Sequence, residues 1–402
     1  MSGVPLQPIV IWFGRVGDMI LLSALLDILH RRYGSPCHVI GAGFWPAEIY
    51  AAHSDVARVT CLHRYTAFLF DGAWWHALRA LRASRAEPVY VCEYDPRKLA
   101  RIRRLLKLSG TDAARCLFIT DLLDASRTPA PAHWGDAQAD VDTPLPHTFK
   151  TDPAHWVDRL VSFGRLTPPA FNTADYPWPV PPPVGAPHLE VSAAARIECA
   201  AWLEARGWGA RPLVLVQPGN RRTMRGRKLR LSSADDKAWP PERWAALLHQ
   251  IHARMPQAEI MLCGAPRESR LLSWIAAAAQ LPAVAAVELP LPRLLALCAR
   301  AHSMISVDTG PAHAAAALSL PLVVLFGAHA QAEWLPRAPS GSAVVGLGGP
   351  PYSTRLDQIG AETVFTAWRS LPGREALASG SGAGVPQSDL ALKPTAANAT
   401  AP

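Results

Sequence analysis

Three short segments combine residue types that can bind phosphate or move a proton, and each follows an apolar run typical of a β-strand. The first is Gly-Arg-Val-Gly-Asp at residues 14–18, directly after the apolar residues 9–13. Its glycines permit a tight turn. Asp18 stands where a helical pattern begins, so it can cap that helix. A carboxylate of suitable pKa in that position can also take a proton from an alcohol. Both roles are open, and they are compatible.

The second segment is the basic run PGNRRTMRGRKLRLSSADDKAW at residues 218–239. Most of its arginines are typical of a solvated loop. A diphosphate site requires only one or two cations together with hydroxyl and amide donors. Lys237, shortly before a predicted helix, is the best-placed cation, and Ser232 and Ser233 offer hydroxyl groups. The segment therefore predicts a diphosphate contact within a loop that is otherwise solvated.

The third segment is SVDTGPAHAAAA at residues 306–317. Asp308 ends a predicted strand, Thr309 and Gly310 form the corner, and a helix of small residues follows. Backbone amides at the start of that helix favour an anion, because the helix dipole is positive there. His313 lies in the first helical turn, where a structural role and a ligand contact are equally open.

Two weaker patterns indicate less. Asp140 and Asp142 match the paired carboxylates of many metal-dependent sugar transferases, but they lie in proline-rich sequence and not after a strand. No metal-binding residue is therefore predicted, and a divalent ion is possible but not indicated. Residues 97–107 alternate cations with apolar residues, which is typical of a solvated helix face or of contact with an anionic membrane.

Apolar strands alternate with helical patterns along most of the chain, which predicts βαβ units and parallel sheets. In the first half the predicted strands are 9–13, 38–40, 59–62, 88–92 and 116–119, with helices at 19–33, 45–52, 74–83, 97–108 and 153–162. In the second half the predicted strands are 213–217, 259–263, 284–287, 303–307 and 322–326, with helices at 241–254, 267–278, 291–301, 311–318 and 360–371.

Composition limits the partners and the compartment. A chain of 402 residues predicts two domains. The net charge of +8 indicates an anionic partner, such as nucleotide phosphates, an acidic membrane or nucleic acid. Nucleic acid is disfavoured, because aromatic residues are not interleaved with the cations of residues 97–107. The seven cysteines form no C-x-x-C pair, which is typical of reduced thiols. No membrane span is predicted, so a cytoplasmic protein is expected, with any membrane contact peripheral.

Together the three segments resemble those of the heptosyltransferase family, the ADP-heptose:lipopolysaccharide transferases of glycosyltransferase family 9. The resemblance rests on Gly17-Asp18, on Asp-Asp-Lys-Ala-Trp-Pro at residues 235–240 before a helix containing Trp244, and on Asp-Thr-Gly-x-x-His at residues 308–313. It extends over about residues 8 to 371. It implies an α/β fold of GT-B type, in which two Rossmann-like domains with parallel sheets face each other across a cleft.

The resemblance also implies an inverting glycosyltransferase of the bacterial cell envelope. Asp18 resembles the general base that deprotonates the acceptor hydroxyl. The expected donor is a nucleotide sugar, ADP-heptose, and the acceptor is a lipopolysaccharide-core glycan or another lipid-linked or oligosaccharide acceptor at the inner membrane face. No cofactor is required. The implied donor-binding residues are Ser232, Ser233, Lys237, Glu268, Asp308, Thr309, Gly310 and His313.

Five regions follow from the proline content and the resemblance. They are an acceptor-side domain at 1–180, a proline-rich linker at 181–210, a nucleotide-sugar-binding domain at 211–350, a helix crossing back to the first domain at 351–373, and a disordered tail at 374–402.

The sequence departs from the family at two places. Ser23-Ala24 stands where Thr-Pro is frequent, and the loop before residue 235 is long and basic. The nucleotide base, the sugar and the acceptor therefore stay open. The alternatives are a transferase for another nucleotide sugar and a non-catalytic nucleotide- or glycan-binding protein. A dehydrogenase is disfavoured, since the Gly-x-Gly-x-x-Gly pattern is missing.

Overall fold

The computed structural model describes residues 4–63, 72–123, 154–220, 223–225, 228–229, 238–281 and 284–374. Within these residues the chain forms two parallel sheets with helices packed on their faces. The predicted α/β architecture is thus present in both halves.

The amino-terminal sheet has five parallel strands in the order β3-β2-β1-β4-β5. Its strands are β1 (Ile9–Trp12), β2 (Cys37–Ala42), β3 (Val56–Leu62), β4 (Val89–Val91) and β5 (Cys116–Phe118). The helices of this half are α1 (Val16–Tyr33), α2 (Trp45–Ile49), α3 (Gly72–Ala83), α4 (Pro96–Ser109) and α5 (Trp156–Arg165). Because β1 is the central strand and is buried along its length, the turn that follows it lies at the middle of the carboxyl edge of the sheet.

The carboxyl-terminal sheet has six parallel strands in the order β10-β9-β6-β11-β12-β13. The strands of this half, including a short antiparallel hairpin formed by β7 and β8, are β6 (Leu213–Gln217), β7 (Met224–Arg225), β8 (Lys228–Leu229), β9 (Glu259–Gly264), β10 (Val284–Glu288), β11 (Ser303–Val307), β12 (Leu322–Phe326) and β13 (Val344–Gly348). The helices are α6 (Ala193–Glu204), α7 (Pro241–Arg254), α8 (Ser269–Ala279), α9 (Leu291–Arg300), α10 (Gly310–Ala317), α11 (Gln331–Trp334) and α12 (Ala361–Arg369).

One hydrophobic core runs through both domains. It contains apolar residues of α1, such as Leu22 and Leu25, together with the small residues of α10, such as Ala312 and Ala315. Because α1 and α10 follow the central strands of their sheets, their packing brings the two carboxyl edges together. Two further clusters lie within the separate domains, one on each outer sheet face.

A second contact between the domains is made by α5. His155, the residue before α5, has its Nε2 2.8 Å from the carbonyl oxygen of Leu335. The Trp156 ring lies 5.6 Å from the Trp334 ring, and the Arg337 guanidinium binds both carboxylate oxygens of Asp158 at 2.5 and 2.7 Å. A helix of the first domain is therefore fastened to the segment after β12 of the second.

The arrangement of the domains differs from the sequence-based expectations at residues 181–210 and 351–373. Residues 181–210 were expected to form a linker, but they contain α6, which is capped by the Ser192 hydroxyl and packs on α9. Residues 351–373 were expected to cross back to the first domain. Instead α12 packs on α7 and β12, and its Trp368 Nε1 donates a 2.8 Å hydrogen bond to the Ser303 hydroxyl, since Val364 and Trp368 complete the carboxyl-terminal core.

Candidate active site

Asp18 is the third residue of α1 and follows the short turn that joins β1 to α1, called here the Asp18 turn. Its Oδ2 accepts a 2.7 Å hydrogen bond from the backbone N–H of Arg15. Asp18 was predicted to be the cap residue of a helix that begins at residue 19, but the helix begins three residues earlier, so Arg15 is the cap residue and Asp18 closes the first turn from within the helix. Gly14 makes this position possible, because a Cβ atom there would lie 2.6 Å from Cβ of Asp18. Any larger residue at position 14 would displace the carboxylate.

The pKa of Asp18 is raised. Burial is the main cause, because it disfavours the charged carboxylate. The Arg15 hydrogen bond and the positive charges of Lys98 and Arg15 lower the pKa, but by less. The side chain is half-buried and keeps access to solvent. A carboxylate with a raised pKa is a stronger proton acceptor once it is ionised, which is the property a general base needs.

Two residues that were not singled out from the sequence hold the Asp18 turn in place. Glu93 lies two residues after the end of β4 and is buried. Its Oε2 accepts a 3.2 Å hydrogen bond from the Phe13 N–H. Lys98 donates a 2.8 Å hydrogen bond from Nζ to the Phe13 carbonyl oxygen and lies 3.6 Å from Glu93 Oε2. Glu93 could have been found from the sequence, because it is a carboxylate directly after the apolar run at residues 88–92. Both backbone polar groups of Phe13 are therefore held by residues that follow the neighbouring strand β4, one before α4 and one within it.

Asp308 occupies the corresponding place in the second domain, directly after β11. Its Oδ2 lies 2.8 Å from Nδ1 of His329, a residue of the segment after β12. Thr309 is the cap residue of α10 and has extended backbone angles. Because β11 and β12 are neighbours, their carboxyl ends bring Asp308 and His329 together. His329 was missed from the sequence, since no motif surrounds it.

The two helix N-termini meet at a pair of glycines. A Cβ atom on Gly310 would lie 3.1 Å from the backbone nitrogen of Gly17 and 3.1 Å from Cγ1 of Val16. In the other direction, a Cβ atom on Gly17 would lie 3.4 Å from Cδ2 of His313. Gly17, Gly310 and His313 are thus brought to one place between the domains. Asp18, the next residue along α1, borders this contact.

Glu268 lies at the same edge of the carboxyl-terminal sheet, after β9. It is buried, and its Oε2 accepts a 2.8 Å hydrogen bond from the Ala265 N–H. A Cβ atom on Gly219, which follows β6, would lie 2.8 Å from Oε1 of Glu268. Burial raises the pKa of this carboxyl group. Glu268 is therefore enclosed by the loop after β6.

Several predicted residues lie outside the described residues. They are Ser232, Ser233 and Lys237, and the carboxylate pair Asp140 and Asp142. The described residues Trp239 and Trp244 follow the loop. Trp239 Nε1 donates a 2.9 Å hydrogen bond to the Ile359 carbonyl oxygen, and its ring lies 4.7 Å from that of Trp244. The carboxyl end of the basic segment is thus anchored in the core.

Residues 189–355 match the family model described as glycosyltransferase family 9 (heptosyltransferase). A curated relative, lipopolysaccharide heptosyltransferase 3 of Escherichia coli, is 36% identical over 104 residues. That match covers 25% of this chain and 30% of the relative, so the chain spans less than a third of that relative's length. The resemblance to family 9 is confirmed for residues 189–355, which match the family model.

Solved structures match the chain over nearly its whole length. The match to ADP-heptose lps heptosyltransferase II of E. coli has a TM-score of 0.63 at 19% identity. It covers 90% of this chain and 98% of the E. coli chain. A family 9 glycosyl transferase of Veillonella parvula gives 0.65 at 16% identity, with 92% and 97% covered. E. coli heptosyltransferase WaaC with ADP gives 0.62 at 18% identity, with 90% and 99% covered. These likenesses confirm the predicted GT-B fold. No described helix combines the length and apolar composition that crossing a bilayer requires.

Proposed function

We propose that the protein is an inverting glycosyltransferase that transfers heptose from ADP-heptose to a lipopolysaccharide-core or related glycan acceptor. The observation that carries the proposal is the contact between Gly17 and Gly310. This contact brings Asp18 of one domain close to the N-terminus of α10 in the other domain. A proton acceptor and an anion-favouring helix end therefore lie next to each other.

Asp18 acts as the general base in this proposal. Its carboxylate takes the proton from the acceptor hydroxyl, and the acceptor oxygen forms a bond to the anomeric carbon of the donor sugar. The bond from that carbon to the diphosphate oxygen breaks, and its electron pair leaves with the nucleoside diphosphate. Attack from the face opposite the leaving group inverts the configuration at the anomeric carbon.

In this proposal the leaving diphosphate is stabilised by the positive ends of two helices and by side-chain hydrogen-bond donors. The amides at the start of α10 and α1 converge, and helix N-termini favour anions. We assign Lys237, Ser232 and Ser233 to the diphosphate. With these groups to meet the developing charge, the reaction requires no cofactor.

The remaining donor contacts are divided along the sheet edge. We assign Asp308, held by His329, to the sugar hydroxyls, because a fixed carboxylate accepts hydrogen bonds from them. Thr309, Gly310 and His313 complete the donor loop. Glu268, enclosed beside the loop after β6, is assigned to the ribose.

The donor assignment draws on what the relatives are named for. One solved relative carries ADP, another is described with ADP-2-deoxy-2-fluoro heptose, and the curated relative is a lipopolysaccharide heptosyltransferase. These names concern other proteins. They support ADP-heptose as the first donor to test.

The acceptor side includes a basic helix face. In α4 the apolar residues Leu99, Ile102 and Leu105 are buried in the domain core, while Arg97 and Lys107 are exposed. The apolar side is thus occupied, so any attraction to an acidic lipid-linked acceptor at the cytoplasmic face of the inner membrane is electrostatic. We propose that contact as peripheral, with no nucleic-acid partner.

Calorimetry with ADP, GDP, UDP and dTDP tests the donor. We expect ADP to bind most tightly, and Lys237→Ala to weaken it by about tenfold or more, since a charge-assisted phosphate contact is lost. Lys107→Ala, an exposed lysine on α4, is the control and should bind ADP normally. Tighter binding of GDP, UDP or dTDP would rule out ADP-heptose as the donor. If none of the four nucleotides binds, the proposal that the protein is a glycosyltransferase is overturned.

A further inference from the structure

Four titratable side chains from three distant parts of the sequence meet away from the Asp18 turn. His30 lies in the last turn of α1, and His53 and Asp55 lie in the segment before β3. His188 comes from the connection between the domains, shortly before α6. One ligand atom from each of His53, Asp55 and His188 lies within 4.8 Å of the others.

Asp55 is the centre of the cluster. Its Oδ1 lies 2.7 Å from Nδ1 of His30. Its Oδ2 lies 3.0 Å from Nε2 of His188 and 3.8 Å from Nδ1 of His53. Oδ2 is buried and has no hydrogen bond of good geometry to any described residue. Two imidazole nitrogens and one carboxylate oxygen therefore face a common point.

The hydrogen bonds around the cluster orient these atoms. Nε2 of His53 lies 3.1 Å from the His188 carbonyl oxygen, so Nε2 carries the proton and Nδ1 keeps its lone pair. That lone pair accepts a 3.3 Å hydrogen bond from the Asp55 N–H, which bound zinc would replace. Metal-binding histidines commonly donate their second N–H to a backbone carbonyl in this way. His30 contacts the other carboxylate oxygen, Oδ1 of Asp55, and so fixes the orientation of the carboxylate.

We propose that His53 Nδ1, Asp55 Oδ2 and His188 Nε2 bind a divalent transition-metal ion, with Zn²⁺ as the best fit. Zinc takes two nitrogens and an oxygen at about 2.0–2.2 Å in tetrahedral geometry, which separates neighbouring ligand atoms by about 3.3–3.6 Å. Two of the three separations, 3.0 and 3.8 Å, bracket that range, and all three ligand atoms lie within 4.8 Å of one another. The fourth position is left to water.

Bound zinc would tie the connection between the domains to the amino-terminal domain. The connection is already held there, because the His188 N–H donates to the Ser23 hydroxyl at 3.0 Å and the Ser54 N–H donates to Glu190 at 3.0 Å. The ion would strengthen this attachment at the end of the connection that leads into α6. The proposed ion acts on this attachment and not on the transfer reaction, so the site can be tested independently of the proposed transferase activity.

Titration of the full chain with ZnCl₂, after removal of metal with a chelator, tests the site. We expect one ion to bind with a rise in Tm, and cobalt to give tetrahedral ligand-field bands without a thiolate charge-transfer band. His188→Ala should abolish both signals. Because His188 is partly exposed, this variant should fold, and circular dichroism checks it. His249→Ala, an exposed histidine on α7, is the matched control and should bind zinc normally.

A second variant separates the surrounding residues from the ligands. His30→Ala removes the partner of Asp55 Oδ1 but leaves the three ligands, so zinc affinity should fall by about 10–100-fold and not disappear. Absence of stoichiometric zinc binding would overturn the proposal and leave the cluster as an ion pair between Asp55 and His188. Binding that survives His188→Ala, or a thiolate band with cobalt, would equally overturn it.

Discussion

The aspartates Asp18 and Asp308 stand at equivalent places in the two domains but in different surroundings. Each follows a central strand and lies beside the N-terminus of a helix. Asp18 accepts a hydrogen bond from a backbone N–H, and burial raises its pKa. Asp308 is paired with the side chain of His329. The comparison shows that burial outweighs the stabilising contacts of Asp18, whereas Asp308 is held by a side-chain partner. Under the proposed function, the first arrangement suits proton exchange and the second suits ligand binding.

Replacing Asp18 by Asn should produce the largest effect. Transfer should fall by about 10²–10⁴-fold, because general-base catalysis is lost, while nucleotide affinity stays unchanged. Folding raises the pKa of Asp18, so the ionised carboxylate costs stability at neutral pH, and Asp18→Asn should keep or increase Tm. Rates, calorimetry and thermal unfolding check this. Asp27→Asn removes another carboxylate of α1 and serves as the control.

The pH profile belongs to the same comparison. Since Asp18 must be ionised to accept a proton, kcat/KM should decline as the pH falls through its raised pKa, and Asp18→Asn should lack this acidic limb. Full transfer activity in Asp18→Asn would remove the general-base assignment.

Replacing His329 by Ala should weaken the donor side by a smaller amount. Loss of a hydrogen bond to a charged group costs about 1.5–3 kcal/mol, so KM for the donor should rise by roughly 10–100-fold if Asp308 binds the sugar. Affinity for the free nucleotide should change little. Steady-state kinetics and calorimetry separate the two quantities. An unchanged donor KM would show that Asp308 works without its partner.

Replacing Lys98 by Met should have the smallest effect on the rate plateau but a defined effect on pH. Lys98 lowers the pKa of Asp18, so its removal raises that pKa and moves the acidic limb of kcat/KM to higher pH. Lys107→Met, on the exposed face of the same helix, should leave the limb in place. A limb that does not move would mean that the charge of Lys98 is not felt at Asp18.

The strands and helices with strong local signals were predicted closely. The bounds of β6, α7, β11 and β12 agree with the sequence-based ranges. The three strands are buried apolar runs, and α7 is an amphipathic helix that begins at a proline pair. β13 was missed, since two of its five residues are glycines and it lacks a continuous apolar run. The helix α6 was missed because the prolines before it indicated a linker.

The site was predictable only where residues are close in sequence. Asp18 and the segment 308–313 could be found because a strand, a turn and a helix follow one another. The partner of Asp308, His329, comes from a neighbouring strand end, and the His53–Asp55–His188 cluster joins segments separated by more than a hundred residues. Such contacts depend on strand order, which periodicity does not contain.

The meeting of two positive helix ends at Gly17 and Gly310 bears on turnover as well as on binding. Under the proposed function, the diphosphate they attract is present both in the donor and in the nucleotide that remains after transfer. Interactions that are equally strong in both states tighten binding without speeding bond cleavage. We therefore expect the spent nucleotide to compete with fresh donor, so that its release contributes to the turnover time.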